Sequence, residues 1–293
     1  MTTPRLEHVR QRLGEALFAR VAGPEGPRRR ERIRVTTGPR WFAEGAPIRR
    51  VHGDAAMFVG GIRALLLQSL HPLAMAGVAG HSGFKGDPWG RLQRTSHFLA
   101  VTTFGRAEDA AAMVRAVRAV HHTVVGVAED GRQYAADDPH LLGWVHAAEI
   151  DSFLRAHQRF GDRPLDAAGR DRYVADTARV AHQLGVVDPP RTEAQLAAKL
   201  SAYRPELEGT PAAREAARFL VLNPPLPLLS RGPYAALAGA AVGLLPWWAR
   251  LMLWLPYVPG ESVLVRPAGQ LVTRTIRWAL ASPPPDAAPA AQR

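Results

Sequence analysis

The chain has 293 residues, 47% hydrophobic and 22% charged, the balance of a globular protein large enough to bury its own core. It has no cysteine, which excludes a disulfide framework, a zinc ribbon, an iron–sulfur cluster, a thiol nucleophile and any thiolate-ligated or covalently attached haem. The formal charge of +11 is spread over arginines from Arg5 to Arg293 with no zinc finger, helix-turn-helix or aromatic-interleaved basic module beside them, so no nucleic-acid partner is expected.

Residues 5–21 have the spacing of a short amphipathic helix, and the proline- and arginine-rich stretch after it reads as a connector ending near Trp41. Residues 1–44 thus form an N-terminal helix and basic connector. No apolar run or cleavage site opens the chain, so the expectation is a cytoplasmic protein without an ordinary signal peptide. Residues 46–70 predict one apolar helix with Ile62, Leu65, Leu66 and Ser69 along a face. Pro72 pushes the residue before it out of helical geometry, which places His71 at a kink, its side chain held by tertiary contacts. Helical spacing resumes over 73–78 and breaks at Gly80-His81-Ser82-Gly83.

Asp87-Pro88 predicts a capped helix start, and the helix that follows carries Arg91 and Thr95, four apart and so on one face. Another helix opens at Glu108. On it Val114, Val117, His121 and Val124 make an apolar stripe, whereas Arg115, Arg118 and His122 share the charged face. Of the adjacent histidines, His121 therefore points in and His122 out, with Gly126 as the helix terminator. An inward imidazole needs a hydrogen-bond partner or a metal, since leaving it unsatisfied costs about 1–3 kcal/mol.

Asp138-Pro139 caps a helix through Trp144-Val145-His146 to about Phe160, and four more helices fall near 167–185, 192–203, 211–222 and 233–254. A last one near 266–281 precedes a proline-rich tail, 282–293, of disordered composition. No alternating strand run stands out. The fold class is all-α: one helical domain over 45–281, with about ten helices. The segment 234–258 is apolar and carries Trp247, Trp248 and Trp254, but Pro246 and Arg250 interrupt it short of a span. It reads as a core helix or a peripheral membrane contact.

The block Arg63-Ala-Leu-Leu-Leu-Gln-Ser-Leu-His71-Pro72, Gly77, His81-Ser82, Arg91-x-x-x-Thr95, Phe104-Gly105, His121-x-x-Val124-x-Gly126, Tyr134, Asp138-Pro139 and Trp144-Val-His146 resembles, in this order, the haem-dependent oxygenase family of MpaB and the rubber (latex-clearing) oxygenase catalytic domain. The resemblance covers about 45–280. It implies a globin-like helical core with one haem b, dioxygen as co-substrate, and a small apolar organic substrate, isoprenoid or lipid-like, oxidised at a carbon–carbon double bond. It implies His121 as axial iron ligand, Arg91 and Thr95 beside the haem and needed for its integrity, and Arg94 as a basic group over the distal side. His71 and His146 are further candidates for the haem pocket.

One feature of the rubber-cleaving members is missing: a glutamate base upstream of the R-x-x-x-T pair, for no glutamate lies in 75–86, and Asp54 and Asp87 are the nearby carboxylates. Three alternatives stay open: a haem-binding or sensing protein without turnover, a non-haem metal enzyme, and a helical protein of the membrane surface.

Overall fold

In the computed structural model the described residues are 4–81, 86–255 and 260–281. They form fourteen α-helices and one two-stranded ribbon. The segment 282–293, residues 82–85 at the Gly80–Gly83 break, and residues 256–259 lie outside them.

The chain opens with α1 (Pro4–Ala22), followed by α2 (Gly26–Val35). The second helix occupies what the sequence presents as a connector: Pro27 stands in its first turn, where a missing N–H costs nothing. Arg32 and Arg34 in its last turn complement the helix dipole. Arg30 stacks over Phe18 of α1 at 5.3 Å, and Arg32 reaches Asp109 at 3.2 Å.

The single helix expected over 46–70 is two, α3 (Pro47–His52) and α4 (Met57–Gln68). The cause is Asp54, whose Oδ1 takes the Ala56 N–H at 2.7 Å while its two oxygens receive Arg277 at 2.9 and 3.0 Å. At His71 the chain turns through 106° into α5 (Pro72–His81). Then α6 (Pro88–Phe104) starts as expected, with Asp87 Oδ1 accepting the Gly90 N–H at 2.8 Å. The helix α7 (Ala107–His121) ends with His122 as its cap, so Gly126 does not terminate it. Gly126 lies instead in β1 (Val125–Val127), antiparallel to β2 (Gln133–Ala135), directly opposite Tyr134. A Cβ there would come within 2.5 Å of the Tyr134 hydroxyl, which explains the glycine. Three-residue strands are too short to show alternation in sequence.

Next come α8 (Pro139–Phe160), capped by Asp138, α9 (Ala167–Leu184), α10 (Glu193–Tyr203), a 3-10 turn at Arg204–Glu206, and α11 (Pro211–Val221). The expected 233–254 helix is again two, α12 (Leu228–Gly243) and α13 (Trp247–Met252), divided at Pro246, and α14 (Ser262–Leu280) closes the described chain.

The helices α4 and α8 form the spine, with α12, α11 and α9 packed around them. Arg63 of α4, 1% exposed, donates to Asp151 Oδ2 at 2.8 Å, Ser152 Oγ at 2.6 Å and the Leu244 carbonyl at 3.0 Å, so this buried charge is fully met. Trp144, fully buried, donates Nε1–H to the Gln68 carbonyl at 3.1 Å.

No single helix among the described residues is long and apolar enough to cross a membrane; α4 and α5 together are by length and composition, but they are bent against each other and α4 is mostly buried in the protein. The described part of the segment 234–258, residues 234–255, divides by face. Leu237, Ala238, Ala240, Ala241 and Ala249 are core, Trp248 is half-buried under Arg204, and Trp247 and Trp254 are 69% and 63% exposed.

Candidate functional site

Two packed helix pairs, α4 with α8 and α6 with α7, are bridged by α3 and α9, and α4 does not pack extensively on either α6 or α7. This leaves one face of the spine helix uncovered. Phe58, Gly61, Leu65 and Gln68 recur along it at helical spacing; Leu65 is 37% exposed, and a Cβ on Gly61 would meet nothing within 4 Å. Beside it, α8 carries a half-buried strip, Val145, His146 and Glu149.

On α7 the stripe runs inward at Val114, Val117 and His121, whereas Val124, expected on it, lies beyond the end of the helix. Val114 is buried, Val117 and His121 are half-buried, and His122 is exposed, pairing with Asp137 at 2.6 Å. His121 Nδ1 is buried without a hydrogen-bond partner, and burial holds the imidazole below its ordinary pKa, partly offset by the Asp137 carboxylate. His146 Nε2 is also buried and unpartnered, and burial pushes its pKa down to about 4. Glu149, one turn further on, is pushed up to about 7 by burial alone. Sequence spacing gives no sign of this carboxyl, because its neighbours come from other helices.

On α6, Arg91 is half-buried, and burial followed by the charge of Arg94 holds its guanidinium below its ordinary pKa. Thr95 is exposed, one turn on. Arg94 is exposed and pairs with Asp87 Oδ2 at 3.2 Å. The cleft of about 340 Å³ between α1 and α6, lined by Ala16, Ala19, Arg20, Trp89 and Gln93, holds none of these groups.

His71 sits at the kink, 2% exposed, against the ring of Trp144 at 6.3 Å. The structure brings it together with two residues that the sequence did not single out: Glu206 Oε2 lies 3.4 Å from His71 Nε2 and 2.8 Å from His140 Nε2. The two nearby carboxylates are both committed elsewhere, Asp54 to Arg277, which helps hold it below the usual carboxylate range, and Asp87 to its cap and Arg94.

Fold and chain together define an all-α protein built on the α4–α8 spine. Residues 49–278 match the family described as ER-bound oxygenase mpaB/B'/Rubber oxygenase, catalytic domain, and the chain belongs to that family. It is 34% identical over 99 residues to the uncharacterized proteins Mb2261 of Mycobacterium bovis and Rv2237 of Mycobacterium tuberculosis, matches that cover 34% of this chain and 38% of each relative. The chain thus spans well under half the length of these relatives. No solved structure matches it.

Proposed function

We propose that the protein is a haem b-dependent oxygenase that oxidises a small apolar substrate, isoprenoid or lipid-like, at a carbon–carbon double bond. The observation that carries this reading is the inward imidazole of His121, a half-buried ring whose Nδ1 is buried and unmet on a stripe that is otherwise valine. The donor types present suit an iron porphyrin: an imidazole with an unmet nitrogen and a half-buried guanidinium. His121 would hold the iron, the open space over Gly61 beside Phe58 and Leu65 would take the flat apolar macrocycle, and the half-buried guanidinium of Arg91 would pair with a propionate. When bound, the haem would supply dioxygen activation.

The rest falls to the chain. Phe58 and Leu65 present apolar surface that would exclude water and align the substrate. Thr95 lies one turn from Arg91, within reach of the same group, and Arg94, at the exposed end of this helix, would screen the entrance. The upstream glutamate of the rubber-cleaving members is absent, and Glu149 takes its place as the group able to hold or release a proton near neutral pH.

The test is the absorption spectrum of purified or haem-reconstituted protein. A Soret band lost in His121→Ala and kept in His122→Ala is expected; no band in wild type, or a band indifferent to His121, ends the haem reading. Product formation from alkenes under oxygen then separates an oxygenase from a carrier or sensor, and Glu149→Gln should remove the limb near pH 7 from its rate profile.

The outward Trp247 and Trp254, with Arg214 stacked on Trp254 at 3.9 Å, also support peripheral contact with an anionic membrane, where an apolar substrate would partition. Cosedimentation with phosphatidylserine vesicles should fall in Trp247→Ala/Trp254→Ala; unchanged binding refutes the contact.

A further inference from the structure

We propose that His71, His140 and Glu206 form a binding site for one divalent transition-metal ion of the zinc class, at the joint between α4 and α5 and independent of any porphyrin. Three segments far apart in sequence converge there. His71 stands at the kink, His140 in the first turn of α8, and Glu206 at the end of the 3-10 turn. One ligand atom from each lies within 4.8 Å of the other two, and both imidazoles approach the same carboxylate oxygen, His140 Nε2 at 2.8 Å and His71 Nε2 at 3.4 Å.

An ion bonded at about 2.0–2.2 Å in tetrahedral geometry sets its ligands about 3.3 Å apart, so the cluster is already near ligand spacing. The adjustment falls on the two exposed side chains, His140 and Glu206, whereas His71 is fixed by the core. Two imidazoles and one carboxylate, with a position left for water, are a recurrent zinc donor set.

The independent sign is His71 itself. The ring is 2% exposed, and neither nitrogen makes a hydrogen bond; the 3.4 Å approach to Glu206 is out of line for one. A buried imidazole facing a carboxylate and a second imidazole across a few ångströms is a ligand short of its ion. The surroundings hold the set in place: Tyr203 donates its hydroxyl to the His140 carbonyl at 2.8 Å and lies 4.7 Å from that ring, and Glu208 N–H reaches the Leu70 carbonyl at 2.8 Å, tying the turn to the joint. The nearby cation Arg132 has its own partner in Asp130 at 2.6 Å.

The experiment is equilibrium dialysis of EDTA-treated full-length protein against zinc sulfate, with zinc measured as metal, so the outcome does not depend on haem. One zinc per chain is expected at micromolar free zinc. His140→Ala and Glu206→Gln, both at exposed positions and checked for unchanged circular dichroism, should each weaken binding at least tenfold. Cobalt in place of zinc should give visible bands that depend on both residues. A chain that takes up no stoichiometric zinc overturns the site, and so does uptake that the His140→Ala/Glu206→Gln double variant leaves unchanged.

Discussion

The two faces of α8 make opposite use of buried polarity. Toward α4 and the end of α12, Asp151 and Ser152 receive Arg63, which also reaches the Leu244 carbonyl, and every group finds a partner. On the face that carries His146 and Glu149, an imidazole nitrogen is buried without a hydrogen bond, and a carboxyl is shifted by burial with nothing to offset it. Polar groups that serve only the fold are mostly satisfied, because each orphan costs about 1–3 kcal/mol. His146 Nε2, orphaned on the strip beside the uncovered face of α4, marks a place where a ligand would complete the set, whereas His157, 1% exposed further along α8, is a second imidazole with neither nitrogen bonded.

The largest effect should come from breaking the satisfied face. Arg63→Met keeps volume but leaves Asp151 with Arg155 alone, at 2.8 Å, and strands the Ser152 and Leu244 acceptors. Loss of one partner of a buried pair costs about 3–5 kcal/mol, here toward the lower end, read as a fall in the urea midpoint at unchanged slope. A loss under about 1 kcal/mol would mean that the two faces do not differ as argued.

On the unsatisfied face the sign of the pH dependence sharpens the contrast. Burial pushes Glu149 up to about 7 in the fold from an ordinary value of 4.5, so the folded chain holds its proton over that window. The stability it contributes is full below the lower value and is lost as pH rises through the upper one, at about 1.4 kcal/mol per pH unit and about 3 kcal/mol in all. Glu149→Gln should flatten this slope in apo protein. A slope identical to wild type would show that Glu149 is solvated.

His146 works in the opposite direction. It is pushed down to about 4 from 6.5, and His52, half-buried beside Tyr173, to about 3. Each is neutral in the fold and charged in the unfolded chain below 6.5, so stability falls with acid by about 1.4 kcal/mol per unit per histidine, or about 2 kcal/mol each at pH 5. His146→Phe should remove one share of the acid loss.

What the sequence disclosed divides along the same line. The caps at Asp87 and Asp138, the kink at His71-Pro72 and the inward turn of His121 rest on neighbours within a few residues, and local pattern suffices for them. The break at Gly53-Asp54 depends on Arg277, and α2 is held by Phe18 and Asp109, partners that no local window contains. Glu149 and Glu206 were illegible for the same reason: a glutamate in a helix or a turn is ordinarily a solvated charge, and only the packing of other helices raises one and aims the other at two imidazoles.

The smallest predicted effect tests that division directly. Asp87 accepts the Gly90 N–H at 2.8 Å and also pairs with Arg94, both exposed. Its replacement by alanine should cost about 1 kcal/mol through the lost cap, with nearly nothing added by the solvent-screened ion pair. Asp87→Asn keeps the capping oxygen but not the charge, so it should recover most of the loss. If Asn behaves like Ala, Arg94 is anchored more firmly than a surface arginine, and its place at the mouth of the α6 face becomes a fixed one. If Asn restores stability, α6 starts where it does for a reason written within three residues, while the orientation of Arg94 is left free for a ligand to set.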